Sequence, residues 1–432
     1  MPTRTLLSGL LGAALLIPVP TAAGGGAGAN GGRTVDYHGL HLTVPDHWRV
    51  IDLDRDPHAC VRLDLPTLYL GHAGTQARCA GRAVRTRADT VHLEPLEGAP
   101  SRADVPTFPF DGPGGIPELR SDSHEVRYVL RRSGVLATVS YGTVPDFVRD
   151  LLARARTVGG AAPAAHGGAV DPASAVVEPK PVTAQEPFTG VGFDACTAPT
   201  QEVMDSWRAE SPYGAVGIYI GGPARACAQP QLTASWIRRQ AEAGWHLMPL
   251  WVGPQPWHSS STGLSTDPSE ANEQGSAAAD GAAAAARALG LGEGTVLYND
   301  LENYTDRTTW DPPVVAYLTA WTVRLHALGF RAAAYVSASS GAKALSAHHD
   351  QAPETMPDVL WVAAWNGSAS VSDADMGLPA GTHQWAGRRR AHQYRGDHDD
   401  TYGGVTINID RNWIDLDPAA FGGPARGEPH SR

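Results

Sequence analysis

The chain has 432 residues, 18% of them charged, and a formal net charge of -11. That balance gives no general electrostatic pull toward nucleic acid or an anionic membrane surface. The length suits one large domain with a smaller companion.

Arg4 precedes a mainly apolar run from Leu6 to Val19, and Thr21-Ala22-Ala23 offers a small-residue cleavage site before Gly24. The run is too short to span a bilayer as a helix, so residues 1–23 are expected to be a cleaved secretory signal, with a retained interfacial anchor as the alternative. No other stretch has the length and apolarity of a membrane span, and the mature protein is expected outside the cytoplasm, secreted or associated with the cell wall. After a Gly-rich leader, residues 33–158 alternate short strand-like runs, such as Leu40–Val44 and Leu136–Val139, with Pro/Gly/Asp turns. A helix over Pro145–Ala155 closes this small α+β domain, in which no catalytic pattern stands out. Residues 159–187 are rich in Ala, Pro and Gly and read as a semi-extended linker.

From Phe188 strand-like runs begin to alternate with helical ones. The expected strands are Gly190–Cys196, Ala215–Gly222, His246–Gly253, Thr295–Glu302, Arg331–Ser339, Asp358–Asn366, Arg390–Gly396 and Thr406–Ile414. Helices are expected at Glu202–Ala209, Thr233–Ala243, Glu270–Leu289 and Pro313–Leu328, the last with Asp311 as its cap. Eight strands in this length fit a parallel α/β fold closed as a (β/α)₈ TIM-type barrel over residues 188–418, followed by a disordered tail at 419–432. An open nucleotide-binding sheet would want a Gly-rich turn after its first strand, where Cys196-Thr197-Ala198-Pro199-Thr200 stands instead.

The four cysteines fall as two local pairs, Cys60 with Cys79 and Cys196 with Cys227, one per region. Three connectivities exist, and local pairing as structural disulfides is preferred. No Cys-x-x-Cys spacing favours a zinc site, and no metal or cofactor is expected.

Four carboxylates fall at the strand ends. Asp300 and Glu302, at i and i+2, share one face of strand four, and two such neighbours push their pKa values apart. Asp194 ends strand one and Asp410 lies on strand eight, its neighbour in a closed barrel. Trp251, Trp257, Tyr304, Trp365, Trp385 and Tyr394 fall at or beyond strand ends, where sugar rings could stack. Trp207, Trp236 and Trp321 sit in helices and are expected in the core. An acidic mouth lined with aromatics and lacking metal-ligand spacing points to glycoside chemistry. Asp397-His398-Asp399-Asp400 reads as a solvated loop, Arg388-Arg389-Arg390 as an exposed hinge, and His348-His349 as a helix end.

Gly192-Phe193-Asp194, Asp300-Leu301-Glu302, Gln393-Tyr394 and Ile409-Asp410-Arg411-Asn412 resemble the family 25 glycoside hydrolases, the secreted muramidases. Gly192-Phe193-Asp194-Ala195-Cys196, Ile218-Tyr219-Ile220-Gly221-Gly222 and Cys227-Ala228-Gln229-Pro230 resemble more closely a glycoside-hydrolase-like family catalogued as domain of unknown function 1906. The resemblance covers Phe188 to about Leu416. It implies that Glu302 is the general acid and that Asp300 orients or stabilises the charged intermediate, with the substrate's acetamido group as one route. It further implies that Asp194 and Asp410 hold sugar or water and tune Glu302, while Gln393 and Asn412 join the substrate-binding set. Ala195-Cys196-Thr197 departs from the muramidases and brings a disulfide beside the site. The expectation is a monomeric, secreted glycoside hydrolase-like protein acting on cell-wall polysaccharide, peptidoglycan first. The alternative is a catalytically silent carbohydrate-binding module on the same barrel.

Overall fold

The computed structural model describes residues 32–81, 86–110, 116–117, 120–157, 181–182, 186–257 and 263–421. The expected signal segment, almost all of the linker and the tail from 422 onward lie outside the described residues.

The alternating runs of the N-terminal region form β1 (Gly32–Tyr37), β2 (Leu40–Pro45), β3 (Arg49–Asp52), β4 (Thr67–Leu70), β5 (Thr90–Pro95), β6 (Thr107–Pro109), β7 (Glu125–Leu130), β8 (Val135–Ser140), α1 (Asp146–Ala153) and β9 (Arg156–Thr157). A six-stranded mixed sheet runs β3-β4-β5-β8-β7-β6, and a small antiparallel sheet runs β1-β2-β9. The buried side chains of Leu42, Val91, Leu93, Val126, Tyr128, Val139 and Leu152 share one core, so this region encloses its own apolar interior.

The second region forms β10 (Phe188–Asp194), α2 (Gln201–Glu210), β11 (Ala215–Gly221), α3 (Ala234–Glu242), β12 (His246–Val252), α4 (Pro268–Ala288), β13 (Val296–Leu301), α5 (Arg307–Ala327), β14 (Arg331–Ser337), α6 (Gly341–His349), β15 (Val359–Ala363), β16 (Arg389–Tyr402) and β17 (Val405–Leu416). Its eight strands close into a barrel in sequence order, as expected. Trp207, Trp236 and Trp321 are buried in the core cluster formed with the helices. Asp306, not Asp311, caps α5 by accepting the Thr309 N–H at 3.1 Å. The helix therefore starts earlier than expected and carries Pro312 and Pro313 inside it. Proline's fixed φ suits a helix even though its missing N–H cannot bond.

One strand departs from the expected all-parallel barrel. β17 runs antiparallel to both β16 and β10. The cause is local: Gly403 and Gly404, at φ 56° and 75°, join the two strands directly. Two consecutive positive φ angles make a tight hairpin turn and leave no chain for a crossover helix. Asp410 is consequently a mid-strand residue, and its register partner is Asp194.

The two regions are bonded to each other at the β11–α3 loop. The Leu63 N–H donates to Ala226 O at 2.9 Å, and the Ala228 N–H donates to Val61 O at 3.0 Å. Arg225 pairs with Glu125, both fully buried, while Arg87 donates to Arg225 O at 3.0 Å. Both disulfides form with the expected pairing, Cys60 to Cys79 and Cys196 to Cys227, and they pack together at this junction.

Candidate active site

Asp194 ends β10 at 2% exposure, with Gly217 of β11 beside it. A Cβ on Gly217 would stand 2.6 Å from the Asp194 Cβ, so only glycine leaves room for the carboxylate there. The Tyr219 hydroxyl donates to Asp194 Oδ2 at 3.1 Å, and Asn412 Nδ2 donates to Oδ1 at 2.7 Å. Burial raises the Asp194 pKa to about 6, and its donors, Asn412 first, hold it from rising further. Gln393 Nε2 stands 3.2 Å from Asp194 Oδ1 and 3.3 Å from Asp410 Oδ2. The amide oxygen of Gln393 accepts from Tyr335 Oη and from Trp365 Nε1, each at 2.9 Å. Those two donors fix which way the amide faces. Burial and then the charge of Asp194 raise Asp410 to about 8.

Asp300 is 3% exposed and its Oδ1 has no hydrogen-bond partner among the described residues. Burial, followed by the charges of Glu302, Asp194 and Asp410, raises its pKa well above the usual carboxylate value. Burial among three other acids thus makes Asp300 the carboxyl of the cluster that gives up its proton reluctantly. Glu302 follows the end of β13. Gln255 clamps this segment from the β12 side: its Nε2 donates to Asp300 O and its Oε1 accepts the Glu302 N–H, each at 2.8 Å.

Asp300, Glu302 and Asp410 line one cavity of about 380 Å³, with Trp257, Trp365, Tyr219 and Tyr335 also in its wall. Asp194 lies just beneath, beside Tyr219 and Gln393. The four expected acids thus meet at one mouth. Trp365, 63% exposed, is an open aromatic face, and Trp257 is half-buried beside the cavity.

The other expected contacts stand elsewhere. Trp251, at 2% exposure, faces α4 and packs against Gly221 and Gly281. Tyr304 is buried with its hydroxyl on Asp311, and Trp385 is buried with its Nε1 on Pro357 O. Tyr394, also buried, follows Gln393 and points the other way on the pleated strand, off the cavity. Gln393 and Asn412 are buried and committed to carboxylates, so they position the acids and are not open to sugar. The segment 397–400 is not a loop but part of β16: Asp400 pairs with Arg411, and the Asp397 N–H donates to Asp410. The arginine run is no exposed hinge, since Arg390 pairs with Asp373 and Arg388 with Asp415 and Asp417.

Tyr219, Tyr335, Gln255 and Asp397 are site residues that the sequence-based reading did not select. A signal existed for Tyr335, which pairs in register with Asp300 and so shares its side of the sheet. For Gln255, in an irregular loop, none did.

Residues 205–414 match the family model described as Rv2525c-like, glycoside hydrolase-like domain. The expected resemblance to a glycoside-hydrolase-like family is borne out. Among solved structures, the chain is similar to an uncharacterized B. stearothermophilus protein, at 18% identity and TM-score 0.36, covering 54% of this chain and 98% of that one. The Mycobacterium tuberculosis Tat-secreted protein Rv2525c matches at 16% identity and TM-score 0.37, covering 52% and 96%. The Clostridium perfringens spore cortex lytic enzyme SleM matches at 14% identity and TM-score 0.35, covering 54% and 68%. No curated protein matches the chain.

Proposed function

We propose that the protein is a secreted glycoside hydrolase that cleaves glycosidic bonds in cell-wall polysaccharide, with peptidoglycan the first candidate. The observation that carries this reading is the pairing of Asp300 and Glu302 on one cavity wall, where burial and the acidic neighbours raise the Asp300 pKa well above the usual carboxylate value. Glycosidic cleavage needs one carboxyl group that gives a proton to the leaving oxygen and another group that supports the positive charge formed at the sugar ring.

Glu302 takes the first role at the cavity wall. Asp300 takes the second, accepting or donating a hydrogen bond to a substrate substituent as its proton state requires. Asp410 and Asp194 hold the opposite side, ordering water or sugar hydroxyls. Trp365 offers an exposed ring on which a sugar face stacks. The two disulfides suit an oxidising, extracytoplasmic setting. Among the described residues no helix is long and apolar enough to cross a membrane. Release of reducing ends from purified cell walls by the wild type and by Glu302→Gln tests the proposal. Glycan binding without any release would point to a silent binding module.

A further inference from the structure

The cavity wall is not made by the barrel alone. Gly81, a residue of the N-terminal domain, lines it together with Cys196, Arg225 and Ala226. Gly81 ends a segment that starts at Gln76, and this segment is fixed along its length. The buried Gln76 side chain accepts the Val61 N–H at 2.7 Å and donates to Ala59 O at 2.9 Å. Cys79 is tied to Cys60, and Arg62 Nη1 donates to Ala80 O at 3.0 Å.

The N-terminal domain touches the barrel at this segment and again at Arg62. Ala77 O accepts the Asn408 N–H of the β16–β17 hairpin at 2.8 Å. Beyond it, an antiparallel bridge between Arg62 and Cys227 joins the domain to the β11–α3 loop. The N-terminal domain therefore reaches from the hairpin, past the end of β10, to the loop after β11. It closes the mouth on the side of Asp194 and Asp410. A mutually bonded wall of this kind holds its shape when ligand arrives, unlike a tethered module.

We infer that the N-terminal domain is a specificity element of the barrel's site, and that the missing side chain at Gly81 keeps open the space for a saccharide substituent. This rests on the glycan reading above. A Cβ at Gly81 would meet nothing nearer than Cys196 at 3.7 Å, which is ordinary contact, and its φ lies outside the left-handed region. A β-carbon there thus displaces no described neighbour, at a residue that itself lines the cavity. At about 380 Å³ the cavity is near the lower end of the roughly 300–1,000 Å³ of small-molecule sites, so lost volume is felt.

The test is calorimetric titration of the full chain with a soluble N-acetylglucosamine oligosaccharide, using the wild type, Gly81→Phe, Gly81→Val and Trp365→Ala. Gly81→Phe is expected to keep the melting temperature of the wild type and weaken binding at least tenfold, with Gly81→Val intermediate. Should the phenyl ring unseat the segment, Gly81→Val alone decides. Binding that falls in Trp365→Ala but is unchanged in the folded Gly81 variants overturns this inference and leaves the glycan reading standing. A wild type that binds no glycan overturns both.

Discussion

The side-chain amide of Gln393 donates to Asp194 at 3.2 Å. Through the same nitrogen it reaches Asp410, and through its oxygen it accepts from Tyr335 and Trp365, so one buried side chain joins the acids to the aromatic wall. Gln393→Ala leaves several buried polar groups unsatisfied, at a cost of roughly 1–3 kcal/mol each in such settings. It also removes a donor that lowers the Asp194 pKa, which should then rise above about 6.

That shift has a sign in stability. Asp194 and Asp410 bind protons more tightly folded than unfolded, so their contribution is complete in acid and is lost as pH rises through the folded pKa. Burial lowers His124 and His246 to about 4, which adds stability up to about pH 6.5 and offsets that loss, so the net fall should show from about pH 6.5 to about pH 8, the upper limit being set by Asp410. Asp410→Asn should flatten the upper part of that fall, and Gln393→Ala should carry the Asp194 part to higher pH. Urea midpoints measured at several pH values check both. A stability that rises steadily from about pH 6.5 to about pH 8 would contradict the assignment.

The ring of Trp365 lies directly over Gly396, where a Cβ would approach it to 2.0 Å. Gly396→Ala should push the indole from its place and so act like Trp365→Ala. Both are expected to weaken glycan binding about tenfold, or about 1.4 kcal/mol, with little change in melting temperature because the ring is exposed. Unchanged binding in both variants would remove Trp365 from the site.

Glu125 sits between the buried guanidiniums of Arg87 and Arg225 and joins the two domains. Burial already lowers the Arg87 pKa to about 10. Glu125→Ala strands two buried cations and should cost about 3–5 kcal/mol. Chemical denaturation reads this directly, and a loss below about 1 kcal/mol would mean that the junction is not held by this cluster.

The convergence of Asp194, Asp300, Glu302 and Asp410 was legible because alternation along a strand and closure of a barrel are set by pattern and spacing. The direction of β17 was written in Gly403-Gly404, yet a hairpin turn reads as such only once both flanking runs are known to pair. The aromatics were the least legible. A tryptophan at a strand end serves the helix layer as well as the mouth, and Trp251 and Trp385 went to the core while Trp365 stayed open. Parity with a known acid separates the cases, as the registered pair Asp300 and Tyr335 shows.

The proposed chemistry stands or falls on Glu302. Reducing-end release from purified cell walls should be measured for the wild type and for Glu302→Gln, which keeps the shape but cannot give up a proton. Loss of a general acid predicts a rate lower by about 10²–10⁴ with the fold intact. Equal rates in the two proteins, or no release by the wild type from any wall that it binds, would contradict it.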